Sequence, residues 1–258
     1  MRAIWTGAIG FGLVNIPVRI FSATQDSNLD LDMLDKKDHA KIRFKRVNEE
    51  SGREVTWENI VKAYDYNGKY VVLDDEDFQK ASPEKSKIIE IAEFVKEDEI
   101  ESIFYETPYF LEPQKSGVKA YILLREALKK SGKVGVGNFV MRTKESLCVL
   151  KPMENAILLQ GIRFAQEVRN INELDIPGKT AIKPAEMQMA MALIDQLTAK
   201  FDISEYKDTY SEELLKLIHA KAKGKKLVAS PLRVVHSKSK DLMEQLKESL
   251  SVKKKKAS

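Results

Sequence analysis

Between Ala3 and Gln160 the chain is cut into short apolar, β-branched and aromatic runs, each soon closed by Gly, Pro, Asn or a charged residue. The runs are Ala3–Phe11, Val14–Phe21, 41–47, Ala63–Tyr66, Tyr70–Leu73, Ile88–Val95, Tyr109–Leu111, Val134–Arg142, Leu147–Leu150 and Ala156–Gln160. Strands this short and this frequent argue for a barrel or a sandwich. A parallel α/β sheet would alternate its strands with helices. Asn67-Gly68 between two such runs is a strong two-residue hairpin signal. The fold class expected is α+β, mainly β.

One helix interrupts the strands. In "KAYILLREALKKSGK", Tyr121, Leu124 and Leu128 fall at helical spacing and Gly132 is placed to end the helix. Two helices follow the last strand. Pro184 suits a first helical position, and Met187, Met191, Ile194, Leu197 and Phe201 form one apolar stripe. Thr209 and Glu212 have capping-box spacing ahead of Leu214, Leu215 and Ile218, with Gly224 near the end. Both stripes suit either the subunit's own core or contact with a second subunit.

From Lys225 Lys, Ser and Ala dominate, and a linker and tail are expected. Within it Leu242, Met243, Leu246 and Leu250 give a short helix one apolar edge. So short a helix is marginal alone in water, so it packs either on its own body or in a partner's groove.

The formal charge of +4 conceals a sorting of charge. Residues 219–258 hold twelve Lys/Arg against three Asp/Glu, leaving the rest with 31 basic and 36 acidic groups. Residues 36–53 hold seven basic and three acidic side chains, and 74–106 hold four basic and twelve acidic. In "HAKIRFKRV", Lys41, Arg43 and Lys45 alternate with Ile42 and Phe44. On a strand the cations would share one face, about 6–7 Å apart, with the apolar pair turned inward. Such a row suits a polyanion, although charge clusters are more often plain solvated faces.

Other chemistry is poorly served. Hydrophobic and charged contents of 43% and 32% are ordinary for a soluble globular chain. No run is long and apolar enough for a membrane span, and the N-terminus lacks a signal-peptide layout, so a cytoplasmic protein is expected. Cys148 is the sole cysteine, in an apolar setting, and reads as a buried inert thiol. His39, His219 and His236 are scattered, so no metal site is expected. "SGKVGVGNF" lacks the further glycines of a phosphate loop or dinucleotide fingerprint and runs into a strand. No cofactor, membrane or small-molecule substrate is expected. The residues lean against an enzyme, leaving a lysine Schiff base as a formal alternative.

Four blocks, "MRAIWTGAIGFGLVNIPVRIFSAT", "IVKAYDYNGKYVVLDDEDF", "KAYILLREALKKSGKVGVGNFVMRTKESLCVLKP" and "LIDQLTAKFDISEYKDTYSEELLKLIHAKAKGKK", closely resemble bacterial Ku proteins. They are spread from Met1 to Lys226 in the family's order. The resemblance implies a homodimeric ring that threads onto double-stranded DNA ends in non-homologous end joining. It implies a β-barrel core with a DNA-encircling bridge over 1–180, the bridge spanning about 30–80. A helical arm for dimerisation over 181–224 and a tail over 225–258 would follow. The implied partner is an ATP-dependent DNA ligase of the D type.

Carried onto this chain, "HAKIRFKRV" falls where the family's bridge begins. Lys41, Arg43, Lys45, Arg46, Arg53 and Lys62 are the DNA-binding candidates there, with Arg19, Arg142 and Lys144 on barrel strands ranked lower. "DLMEQLKESL", with Leu242, Met243, Leu246 and Leu250, resembles the ligase-engaging segment, and Lys253, Lys254, Lys255 and Lys256 resemble the family's basic extension. Some members carry a Cys pair where this chain has Asn48-Glu49-Glu50-Ser51, so no metal knuckle is expected. The competing class is a barrel that binds RNA or single strands by stacking bases on aromatics among cations, for which only Phe44 qualifies.

Overall fold

A computed structural model of the chain describes residues 1–81, 87–141, 144–178, 180–225 and the lone position 246. The expectations for Arg142 and for the tail other than Leu246 lie outside the described residues. The chain divides into two compact units, residues 1–26 with 32–170, and residues 27–31 with the chain from 171 onward.

The first unit is built on a closed barrel of seven strands: β1 (Trp5–Phe11), β2 (Val14–Ser22), β5 (Ile88–Lys96), β6 (Tyr105–Pro113), β7 (Lys133–Met141), β8 (Lys144–Met153) and β9 (Ala156–Ile162). Their order is β1-β2-β6-β9-β8-β7-β5. Every neighbouring pair is antiparallel except β1 with β5, where Ala8 lies opposite Ile88. Closure leaves no open sheet edge, which decides between the barrel and the sandwich. A two-residue alternation supplies the interior. Ile16, Val18 and Ile20 on β2 are fully buried, as are Ile9, Ile89, Leu150, Ile157 and Leu159 on the other strands. Each buried aliphatic contributes about 1.5–3 kcal/mol relative to exposure.

Strand directions fix the ends of the barrel. The β1–β2 turn, the end of β6 and the start of β7 share one end, and α2 (Val118–Ser131) connects β6 to β7 there. Tyr121, Leu124 and Leu128 of α2 are buried, and Gly132, at φ 64°, ends the helix in the left-handed region. The Tyr121 hydroxyl donates to the Leu111 carbonyl at 2.6 Å and accepts from the Ile157 N–H at 2.6 Å. Leu111 and Ile157 are register partners on β6 and β9, so one phenol holds the last rung of that ladder. Burial raises the Tyr121 pKa, and the Ile157 hydrogen bond only partly opposes this.

At the opposite end β2 finishes and β5 begins, one strand apart on either side of β1. The chain between them, 23–87, therefore leaves and re-enters the barrel at one end. Trp5 marks that end, its indole N–H donating to the Val140 carbonyl at 3.2 Å and its ring meeting Phe139 edge-on. At Gly137 a side chain would collide with the Glu90 carbonyl, beside the β5 bulge between Ile91 and Glu93.

The excursion holds β3 (Lys62–Tyr66), β4 (Lys69–Leu73) and α1 (Asp75–Ala81), the last a helix in the acidic stretch that the strand pattern did not anticipate. β3 and β4 form the hairpin expected at Asn67-Gly68, both turn residues at positive φ, in a sheet separate from the barrel. No described residue from Phe21 to Ala81 is buried.

In the second unit α3 (Pro184–Leu197) starts at the expected proline and α4 (Thr209–Ala222) covers the expected span. Two details differ from expectation. Phe201 lies beyond α3 and packs on Tyr206 at 5.8 Å between ring centroids. The cap of α4 is Asp208, whose carboxylate accepts from the Ser211 N–H at 3.1 Å, displacing the expected Thr209–Glu212 box. An acid is the better acceptor for unpaired helix N–H groups. The Ser211 hydroxyl and N–H hold the Asp208 carboxyl below its usual range, so the cap persists above that range and is lost on acidification. No described residue of 171–225 is buried, and Met187, Met191, Ile194 and Leu197 stay about half exposed.

Replacing Tyr121 with Phe leaves the Ile157 N–H buried without its acceptor and the Leu111 carbonyl without its donor. It is expected to lower unfolding stability by about 1–3 kcal/mol in urea titration, with the fold intact at room temperature.

Candidate nucleic-acid interface

Residues 33–55 form two tight turns in series. In the first, Leu34 bridges Lys41, Asp35 N–H donates to Ala40 O at 2.8 Å and Ile42 N–H to Met33 O at 3.0 Å. Asp35 Oδ1 accepts from Lys37 N–H and Asp38 Oδ1 from Ala40 N–H. In the second, Val47 bridges Glu54, Asn48 N–H donates to Arg53 O and Val55 N–H to Arg46 O, both at 2.8 Å. Asn48 Oδ1 gathers the N–H groups of Glu50 and Ser51 and the Ser51 hydroxyl within 3.1 Å, while Gly52 takes φ 65°. Short polar side chains here satisfy the backbone locally, in competition with any ladder.

This corrects the expectation for 41–47. The segment is the limb shared by the two turns, bridged at its ends, and not a continuous strand. Nor does the apolar pair face inward: Phe44 is 80% exposed and Ile42 45%. No core lies beneath this segment, so alternation had nothing to sort against.

The cations differ in what holds them. Lys41 Nζ pairs with Asp32 at 3.0 Å and Lys45 Nζ with Glu54 at 2.6 Å, all four side chains being well exposed. Arg43 makes no ion pair among the described residues. The Arg46 guanidinium lies over the Trp57 ring at 4.6 Å, and Lys62 Nζ over Phe78 at 5.0 Å. A guanidinium resting over an indole face by cation–π attraction has, among the described residues, no carboxylate to neutralise it and keeps N–H donors for an anion. The second turn brings Lys45, Arg46 and Arg53 into one hairpin. Trp57, Asp32 and Glu54 escaped sequence reasoning because their pairings come from the turns and follow no helix or strand period.

Arg19 and Lys144 occupy other strands. Lys144 opens β8 at the barrel end from which 23–87 departs, and Arg19 lies in the half of β2 nearer that end. β6 and β9 separate them, and both are engaged, Arg19 with Glu112 at 2.8 Å and Lys144 with Glu167 at 3.4 Å. The Glu167 carboxyl is held below its usual range, chiefly by the Phe164 N–H and then by Lys144. Arg142, the lysines 253–256, Leu242, Met243 and Leu250 lie outside the described residues, and Leu246 is described without its neighbours.

Burial pushes the Cys148 thiol up to about 12, too high for an effective nucleophile at neutral pH. Among the described residues no cluster of three or more His, Cys, Asp or Glu could hold a metal. None of their helices is long and apolar enough to cross a membrane. What the first unit offers is an exposed, basic, aromatic-supported surface suited to a polyanion.

A family model described as the Ku70/Ku80 beta-barrel domain matches residues 10–191. The chain is 40% identical over 234 residues to the non-homologous end joining protein Ku of Bacillus subtilis (strain 168), covering 90% of this chain and 75% of that protein. It is 37% identical over 262 residues to the protein of the same name from Coxiella burnetii, covering 98% and 96%. The Archaeoglobus fulgidus protein of that name is 38% identical over 234 residues, covering 89% and 92%. Among solved structures, the SPOC domain of human PHD-finger protein 3 aligns with a TM-score of 0.31 at 13% identity, over 63% of this chain and 97% of that one, too distant to inform function.

A polyanion that engages Arg46 should alter the emission of Trp57. Titration with heparin is expected to change indole fluorescence. The response should vanish in Trp57→Phe, which retains Trp5, and weaken in Arg46→Ala.

Proposed function

The chain belongs to the Ku family, and on that premise we propose that it binds the ends of double-stranded DNA in non-homologous end joining, irrespective of sequence and as a homodimeric ring. It acts there as a binding factor and not as an enzyme. One observation carries the reading: Lys41, Arg43, Lys45 and Arg46 stand exposed on an excursion none of whose described residues is buried.

Duplex DNA offers about one charge per 1.7 Å of axis, and each phosphate contact by Lys or Arg releases condensed counterions. Contacts of this kind position a protein without reading bases. No described helix carries the pattern of side chains that reads base edges in a groove. A factor that must accept any broken end needs this indifference. A ring adds topology, since it loads only at a free end and then slides inward.

The second copy answers a packing problem. A segment this long with no buried residue among those described cannot hold its shape through its own core, and the apolar stripes of α3 and α4 are equally uncovered. A two-fold partner would cover such faces and let two excursions surround a duplex that one could not. Lys62 and Arg53 extend the cradle, with Arg19 and Lys144 at its barrel end; Arg142, outside the described residues, joins them as a DNA-binding candidate. In the tail, Leu242, Met243, Leu246 and Leu250 engage the D-type ligase, stimulating end sealing, and Lys253 to Lys256 add non-specific affinity.

The exposure of Phe44 beside Arg43 and Lys45 favours a second reading, base stacking on a single strand. Competition decides: a single strand that displaces duplex as well as duplex itself does would transfer the function to that class.

Linear duplex is expected to be retained through a high-salt wash while a closed circle of the same sequence is lost. Equal retention would refute the ring. Changing Lys41, Arg43 and Lys45 together to Glu should weaken binding to all sequences and flatten its salt dependence. Removing residues 225–258 should leave end binding in place and abolish ligase stimulation, measured with purified ligase on blunt ends.

A further inference from the structure

The two lysines of the cationic segment are already partnered. Lys41 and Lys45 each hold a carboxylate, Asp32 at 3.0 Å and Glu54 at 2.6 Å, while Arg43 between them holds none. Neither acid adjoins its lysine in sequence. Asp32 reaches Lys41 through the first turn, and Glu54 reaches Lys45 through the Val47–Glu54 bridge of the second. We propose that Asp32 and Glu54 act as built-in stand-ins for DNA phosphate, occupying Lys41 and Lys45 in the empty protein and weakening the grip on DNA by design. This rests on the end-binding reading and names the groups that set its strength.

An arriving phosphate must take Nζ from a carboxylate, not from water. The pairs are exposed, and exposed pairs in high dielectric hold loosely, so the exchange is easy. Once displaced, the carboxylate stays tethered a few ångströms away and repels the phosphate that replaced it. Each lysine can therefore return to its acid as the duplex advances. For a factor that must travel inward from an end, this flattens the difference between bound positions and the barrier between them. Arg43 and Arg46 have no carboxylate to return to: the first makes no ion pair among the described residues, and the second rests on Trp57. The segment thus combines two standing contacts with two yielding ones.

The test compares two double variants with the same change in charge. Asp32→Asn with Glu54→Gln removes the paired acids. Glu49→Gln with Glu50→Gln removes two acids of the same turn that make no ion pair among the described residues. All four positions are exposed, and thermal melts verify that both variants remain folded. With a short linear duplex, the first variant should bind about ten-fold tighter at low salt, with a log–log salt slope steeper by up to about 1.8, the equivalent of two further phosphates. The second should move far less. On long duplex the first variant should also slide more slowly in single-molecule tracking. In a Lys41→Ala background, Asp32→Asn should lose its effect.

Equal tightening by both variants would reduce the effect to net charge and overturn the proposal. No tightening by either, while Lys41, Arg43 and Lys45 changed to Glu still weakens binding, would overturn it and leave the end-binding cradle standing. If that triple change leaves binding untouched, the cradle reading itself fails, and this proposal with it.

Discussion

The parallel pairing of β1 with β5 is the constraint on which the rest of the first unit depends. All other contacts in the barrel join antiparallel neighbours, many of them consecutive in the chain and linked by short turns. Bringing Ala8 beside Ile88 closes the cylinder across some eighty intervening residues, at the large entropic cost of closing a long loop. What offsets it is the shared interior of Ile9, Ile16, Val18, Ile20 and Ile89, which forms only when the seam is shut. Closure also sets the geography. It puts both roots of the 23–87 excursion at one end of the barrel and leaves the other to α2 and Tyr121.

Packing and charge are divided accordingly. Among the described residues the barrel interior contains no buried charged group. Its one buried thiol is inert, and the Tyr121 hydroxyl that enters it is satisfied in both directions. The excursion is the reverse, exposed charges of both signs and exposed aromatics held by turn chemistry, loose ion pairs and cation–aromatic contact, with its cations gathered in 36–53. A surface held this way can meet a rigid polyanion and adjust to it, because few of its contacts cost much to exchange. The rigid barrel fixes where that surface is rooted.

Much of this was legible beforehand because it is local. Apolar, β-branched and aromatic runs closed by turn residues located β1, β2 and β7 to β9, Asn67-Gly68 located the β3–β4 hairpin, and Gly132 and Pro184 marked ends of α2 and α3. The failures share a cause. For 41–47 alternation assumed a core on one side, and there is none, so Phe44 lies in solvent. Phe201 continued the stripe of α3 in register after the helix had ended at Leu197. Thr209 looked like the cap because its spacing to Glu212 was right, yet the neighbouring Asp208 is the stronger acceptor and took the Ser211 N–H.

The sequence by itself determined most of the elements and their order, the Asn67-Gly68 hairpin turn and which segment would be basic, because propensity, period and charge are carried by neighbours along the chain. Only the tertiary structure decided that the strands close on themselves, that Tyr121 holds the Leu111–Ile157 rung, that Trp57 lies under Arg46 and that Asp32 and Glu54 answer Lys41 and Lys45. Those pairings join residues that share no repeat, and they exist only once turns and strand register have brought them within a few ångströms of each other.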